Sequence, residues 1–202
     1  MNTQIVPTFA VPIALAELEE KIYKPLKKLK GMEQGDQSHE NDDFNILDKV
    51  PDTKNKLIKI FTDYINENIN YTPDQEYTMT SSWITENNTG APMTRHNHKN
   101  SYYSSVLYFD KVADSHASLQ FENPLDRSGF YIESLRPNIF SANQLDVPIK
   151  KGLIIFFPSY LFHFHGPFQP NGITRRSLAC NYIPINKYGP NDSSLDTRTI
   201  HG

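Results

Sequence analysis

Four of the seven histidines in this 202-residue chain fall in two short clusters 65 residues apart, and this spacing constrains the fold more than any other feature. The first cluster is Arg95-His96-Asn97-His98, followed by an apolar run over 102–109. The second is Phe162-His163-Phe164-His165 at the end of the aromatic stretch 156–165, with Arg175-Arg176-Ser177 close behind. On a strand, residues i and i+2 face one side, roughly 6.6 Å apart. His96 and His98 are therefore expected on one side. Two imidazoles at that spacing can tilt onto one ion with metal–nitrogen bonds of about 2.1 Å. The third ligand must come from elsewhere in the chain, and His163 or His165 is available, so the two clusters are read as closing on one metal ion at the mouth of a small β-barrel. His163 is the chosen ligand. His165 precedes Gly166-Pro167, where the chain must turn, and is read as a residue that orients the ligands.

The rest of the pattern fits a barrel with a helical cover. Ile5 to Ile13 reads as an edge strand, because its prolines cannot sit in a central ladder. Ala14 to Lys30 reads as a helix that Pro25 must kink or end. Residues 31–43 read as a loop containing an exposed His39. Thr53 to Asn70 carries an apolar stripe of Leu57, Ile60, Phe61, Tyr64 and Ile65, with Asp52 or Thr53 as a cap. From Tyr77 the apolar period drops to two. The expected strands are 77–85, 95–98 running into 102–109, 119–122, 146–149, 153–157, 161–165 and 175–183. Helices followed by many short strands predict a mainly β, α+β protein with helices on one face of a sandwich or barrel. One domain is expected over residues 1–185, helical over about 14–72 and barrel over about 77–185. A polar, loosely held tail is expected over 186–202.

On the last strand Arg175, Ser177, Ala179 and Asn181 share one face, and Arg176, Leu178 and Cys180 share the other. An arginine beside a hydroxyl, facing an interior next to a metal, is a good seat for a carboxylate. Arg176 reads as a surface ion pair. Composition narrows the partners. A net charge of −3 without a basic patch argues against nucleic acid. The longest apolar run, 153–157, is too short to cross a membrane. Met1 to Leu18 lacks the pattern of a signal peptide. The single cysteine, Cys180, excludes an internal disulfide and reads as a core residue. A cytoplasmic protein is expected.

The ordered set His96-x-His98, Ser104-Ser105-Val106-Leu107-Tyr108, Phe121-Glu122-Asn123-Pro124, Phe157-Pro158-Ser159-x-x-x-His163 and Arg175-x-Ser177-x-x-x-Asn181 resembles the 2-oxoglutarate/Fe(II)-dependent oxygenases of marine bacteria and their phages. The resemblance covers roughly residues 83–182. It implies a double-stranded β-helix, or jelly roll, with Fe(II) held by His96 and His163. It also implies 2-oxoglutarate held at its far carboxylate by Arg175 and Ser177, with Tyr108 reaching the same group. O2 would then convert 2-oxoglutarate to succinate and CO2 while a C–H bond of a small-molecule or peptide substrate is hydroxylated.

The family triad is two histidines and a carboxylate, but here His98 stands in the carboxylate position. Three arrangements are possible. His98 is the third ligand, or it swings away and leaves two histidines, or the register shifts so that Asn100 occupies the carboxylate slot. The first is adopted. Two other readings share a jelly roll. Gly90 with His96-x-His98, and Gly152 with Pro158 and His163, partly match a cupin-type metalloprotein. That motif's glutamate is missing, with Tyr102 and Tyr103 in its place. A non-catalytic structural or binding jelly roll is the other. The loop Asn123 to Phe130 reads as a candidate lid, with Asp126, Arg127 and Arg136 facing a polar substrate.

Overall fold

The computed structural model describes residues 10–34, 43–70, 75–125, 138 and 141–199. Its strands are β1 (Ala14–Glu17), β2 (Met32–Glu33), β3 (Glu76–Asn87), β4 (Met93–His96), β5 (Tyr103–Leu107), β6 (Leu119–Glu122), β7 (Gln144–Val147), β8 (Leu153–Pro158), β9 (His163–His165), β10 (Arg175–Ile185), β11 (Lys187–Tyr188) and β12 (Leu195–Asp196). Its α-helices are α1 (Glu20–Tyr23) and α2 (Pro51–Ile65). A six-stranded sheet runs β1-β8-β5-β10-β3-β2, and a four-stranded sheet runs β4-β9-β6-β7.

Alternation along the strands sorts side chains into two cores. Between the sheets, Val106, Tyr108, Ile155 and Phe157 of the larger sheet meet Leu119, Phe121 and Val147 of the smaller. On the outer face of the larger sheet, Leu57, Phe61 and Ile65 of α2 pack on Tyr103, Phe156, Leu178, Cys180 and Tyr182. Phe61 stacks on Tyr182 with ring centroids 4.1 Å apart and touches the rings of Tyr77, Tyr103 and Phe156. Two facing sheets with helices on one outer face make the expected double-stranded β-helix. Cys180 lies in the helix-covered core as expected, its thiol pushed up to about 12 by burial.

The sequence pattern misled at several places. Ala14 to Glu17 is a strand, not the start of a helix. It pairs antiparallel with residues 153–156 of β8, and this edge pairing overrides helix propensity. The chain then makes one helical turn and a 3-10 turn over Lys24–Lys28 that contains Pro25. Residues 10–13 carry no strand, and residues 1–9 of the expected edge strand lie outside the described part, as does His39. Within the expected loop, β2 pairs in parallel with β3. Helix α2 starts at Pro51, whose fixed φ suits the first turn, and no side chain caps it. Thr53 turns inward and donates to the Ile22 carbonyl at 3.1 Å. The tail also has structure, because β11 pairs with β12.

Arg176 is not a surface ion pair. It is largely buried, stacks over Phe109, and donates to Glu86, Asp110 and the Leu29 carbonyl. Its planar fork ties the N-terminal segment to β3 and to the end of β5.

Candidate active site

His96 and His163 are direct cross-strand partners in the β4–β9 ladder. Their rings are brought together by backbone pairing, with centroids 4.3 Å apart. His98 arrives differently from the strand alternation expected. Strand β4 ends at His96, and His98 sits in the following turn, where its N–H donates to the Ser159 carbonyl at 3.0 Å. Asn100 next to it takes a left-handed φ of 55°. One ligating nitrogen from each of His96, His98 and His163 lies within 4.8 Å of the others, a grouping that could hold a metal ion. No carboxylate of the described residues joins the group.

The outer nitrogen of each ring is engaged. His96 Nδ1 lies 2.8 Å from the Thr94 carbonyl and His163 Nδ1 3.1 Å from the Leu161 carbonyl. His98 Nδ1 lies 2.5 Å from Asn181 Oδ1. An Nδ1–H donating outward leaves the Nε2 lone pair facing inward, which is the tautomer a metal needs. His96 Nε2 and His98 Nε2 are 3.4 Å apart.

Burial, and then the neighbouring His96, push His163 down to about 3, and burial also lowers His98. His98 and His163 are thus neutral when folded at neutral pH. Below the ordinary histidine value of about 6.5, the unfolded chain takes up protons that the fold refuses. The metal-free protein therefore loses stability as pH falls from about 6.5 toward 3. Thermal melts between pH 6.5 and 5, above the carboxylate range, should show a falling midpoint. His163→Gln should flatten that slope, and an unchanged slope would count against His163 as its source.

A different chemistry occupies the other end of the interior. Arg175 is buried, and its Nη2 donates to Tyr108 Oη at 2.9 Å. Its Nε is buried without a partner, and no carboxylate of the described residues pairs with it. Tyr108 is fully buried, which raises its hydroxyl. Ser177 is buried one residue pair along the same face of β10. His165, beside Arg175, is pushed down to about 4 by burial and then by the guanidinium charge. Its Nδ1–H donates to the Gly166 carbonyl at 2.8 Å, so its Nε2 accepts from the Gln34 amide at 3.3 Å. It stays off the histidine group. An uncompensated buried cation is costly, so this end has the character of a seat for an anionic ligand.

Sequence reasoning placed Asn181 on the interior face but did not foresee its bond to His98. The register explains it. Asn181 is flanked across the ladder by Ser81 of β3 and Ser104 of β5. Its Nδ2 donates to Ser81 at 3.0 Å and its Oδ1 accepts from Ser104 at 2.8 Å. Trp83, whose ring centroid is 5.4 Å from that of His98, was also missed. The two tyrosines in the place of the cupin glutamate are engaged elsewhere. Tyr103 faces α2 and Tyr102 stacks on Tyr77, so neither supplies a ligand. Gly90 has its own reason, a φ of 77° and a position where a Cβ would lie 2.0 Å from the Phe168 carbonyl. Most of the expected lid, including Asp126 and Arg127, lies outside the described residues, as does Arg136. No described helix is long and apolar enough to cross a membrane.

Residues 81–181 match the model of the family described as "Putative 2OG-Fe(II) oxygenase". No curated protein matches the sequence. Among solved structures, the chain is similar to the non-heme alpha ketoglutarate dependent epimerase SnoN from nogalamycin biosynthesis, with TM-score 0.57 and 13% identity over 89% of this chain and 82% of that one. It is similar to HygX from Streptomyces hygroscopicus with nickel and 2-oxoglutarate bound, with TM-score 0.55 and 10% identity over 85% of this chain and 81% of that one. It spans 58% of a Burkholderia pseudomallei oxidoreductase of the 2OG-Fe(II) oxygenase family, matching over 66% of its own length at 13% identity and TM-score 0.46. At these identities the structural likenesses speak for the fold alone. The family match covers half of the chain, including both histidine clusters, Tyr108, Arg175 and Ser177, and the chain belongs to the 2-oxoglutarate/Fe(II) oxygenase family.

Proposed function

We propose that the protein is a non-haem Fe(II)- and 2-oxoglutarate-dependent dioxygenase that hydroxylates a C–H bond of a small-molecule or peptide substrate. The observation that carries this reading is the buried Arg175 with an unpartnered Nε and no counter-ion among the described residues, on the interior face that leads along β10 to three converging imidazoles. His96, His98 and His163 would hold the iron, and the donor set fits, since imidazole suits iron and the Nδ1 of each ring is engaged elsewhere, leaving Nε2 for the metal. Fe(II) bound there would supply the redox chemistry in which O2 gives one oxygen atom to the product alcohol and the other to succinate, as 2-oxoglutarate loses CO2.

The chain's own residues do the positioning. The Arg175 fork, with donors left over after its bond to Tyr108, would take one carboxylate of 2-oxoglutarate at two points, and the Ser177 hydroxyl would add a third contact. Tyr108 keeps the guanidinium aimed. Val106, Leu153, Ile155 and Phe157 line the interior between the two ends and keep water out. The test is succinate release from 2-oxoglutarate by purified protein with Fe(II) in air, followed by NMR. Release that requires both iron and oxygen is expected, even without a prime substrate, as slow uncoupled turnover. No succinate above the protein-free control would overturn the proposal.

A further inference from the structure

Resting on the function proposed above, we infer that the substrate carries an uncharged aromatic ring that stacks on Trp83 beside the histidine group, with Phe44 as the outer wall of that subsite. Trp83, the chain's single tryptophan, lies on β3 directly across the ladder from Ala179 of β10. Residues directly opposite each other share a face of the sheet, so the indole stands on the interior face that also carries Ser177 and Asn181. Its ring centroid is 5.4 Å from that of His98 and 6.0 Å from that of Phe44, which meets it edge to face. Phe44, Trp83 and His98 thus form a row of rings. Phe44 is 48% exposed, Trp83 and His98 are half-buried, and His163 behind them is buried. The row leads from solvent to the candidate metal ligands.

Among the described residues, neither Phe44 nor Trp83 joins the hydrophobic packing on either face of the larger sheet. Both are nevertheless held in place. The Ser82 N–H donates to the Phe44 carbonyl at 2.7 Å, Asn45 bridges to Ser82, and Ser82 Oγ accepts from the Leu47 N–H at 3.1 Å. A pinned pair of half-wet aromatic rings at a reaction site is the wall of a binding pocket rather than part of a core. The ladder also leaves room there. In the cross-strand row Trp83, Ala179, Val106 and Ile155, the second residue has a one-carbon side chain and leaves the flank of the indole uncovered. The neighbours of Trp83 on this face, Ser81, Thr85, Ser177 and Asn181, carry no charge. An indole face is electron-rich and an aromatic edge is positive, so a flat ring gains an attraction there that a saturated ring of equal size does not.

The test uses N-acetylphenylalanine amide and N-acetylcyclohexylalanine amide, which differ only in the aromaticity of the ring. Trp83 fluorescence, excited beyond the tyrosine band, reads their binding. The phenylalanine amide should give a saturable change, and the cyclohexyl amide should bind about two- to tenfold more weakly. With paramagnetic Co(II) on the histidines, the ring protons of the bound amide should relax faster in NMR than with Zn(II), which places the ring beside the metal. Phe44→Ala keeps the fluorophore and should weaken the phenylalanine amide by about two- to tenfold. Ala179→Leu fills the space beside the indole and should weaken it by about fivefold or more. The inference is overturned by no saturable change up to the solubility limit, by equal affinity for the two amides, by tighter binding of N-acetyllysine amide, or by equal relaxation with the two metals. It is also overturned if both variants keep the parent's melting curve and the parent's affinity. Any of these results beside iron- and oxygen-dependent succinate release leaves the proposed function standing. Amide binding beside Co(II) in a protein that releases no succinate overturns the proposed function, and with it the ring's role as substrate. A protein that binds neither Co(II) nor Zn(II) overturns both.

Discussion

Substituting alanine for His163 is expected to abolish metal binding and uncoupled 2-oxoglutarate turnover together. The residue sits at the centre of the group: its ring lies 4.3 Å from that of His96 and 5.0 Å from that of His98. Loss of a residue that merely orients a ligand already costs ten- to a hundredfold in metal affinity, so loss of a ligand should cost at least about a hundredfold. His163 is also wedged against Phe121 and Phe157, so alanine leaves a hole in the inner core. His163→Gln fills that space better. Equal failure of both variants to bind Co(II), with melting curves intact, assigns the effect to the metal. Retained turnover in either would move the ligand to His165, whose ring is engaged by Gly166 and Gln34.

Replacing Arg175 should leave metal binding by the histidines intact and raise the 2-oxoglutarate requirement steeply. Each hydrogen bond to a charged group is worth about 1.5–3 kcal/mol. Losing a two-point contact therefore predicts a rise of roughly two to four orders of magnitude. Arg175→Lys keeps the charge without the fork and should fall between. Arg175→Met carries a second expectation of opposite sign. Removing a buried cation that has no counter-ion among the described residues should leave the ligand-free protein at least as stable, so its thermal midpoint should hold or rise. An unchanged 2-oxoglutarate requirement would sink the assignment. A large drop in the midpoint would make Arg175 a structural residue.

The parts of this fold readable in the sequence were those set by period. The stripe Leu57, Phe61, Ile65 gave the helix, and the alternation on β10 placed Arg175, Ser177 and Asn181 on one face with Leu178 and Cys180 on the other. The unreadable parts depended on long-range pairing. Ala14 to Glu17 looks helical until β8 is present to pair with it. His98 looks like a strand residue, yet its place comes from a turn pinned to Ser159, 61 positions away. Arg176 looks exposed until Leu29 and Glu86 close around it. At the candidate site, residue types at fixed spacing were enough to bring His96, His98 and His163 to attention. The support of Asn181 by Ser81 and Ser104 needed cross-strand register, which sequence spacing does not carry.

Strand β10 is bonded on both sides for much of its length and carries Arg175 near one end and Asn181 toward the other. It therefore works as a fixed ruler: six residues of ladder-bound chain set how far the cation stands from the histidine group. Loops around the mouth can lengthen, shorten or change character without moving either mark. Deleting a single residue between the marks would not shorten the ruler smoothly. It would turn every following side chain over, sending Ser or Asn positions toward α2 and aromatic ones inward. Descendants of such a protein are free to explore new substrates at the rim, while the span between the arginine and the histidine group can change only in steps of two.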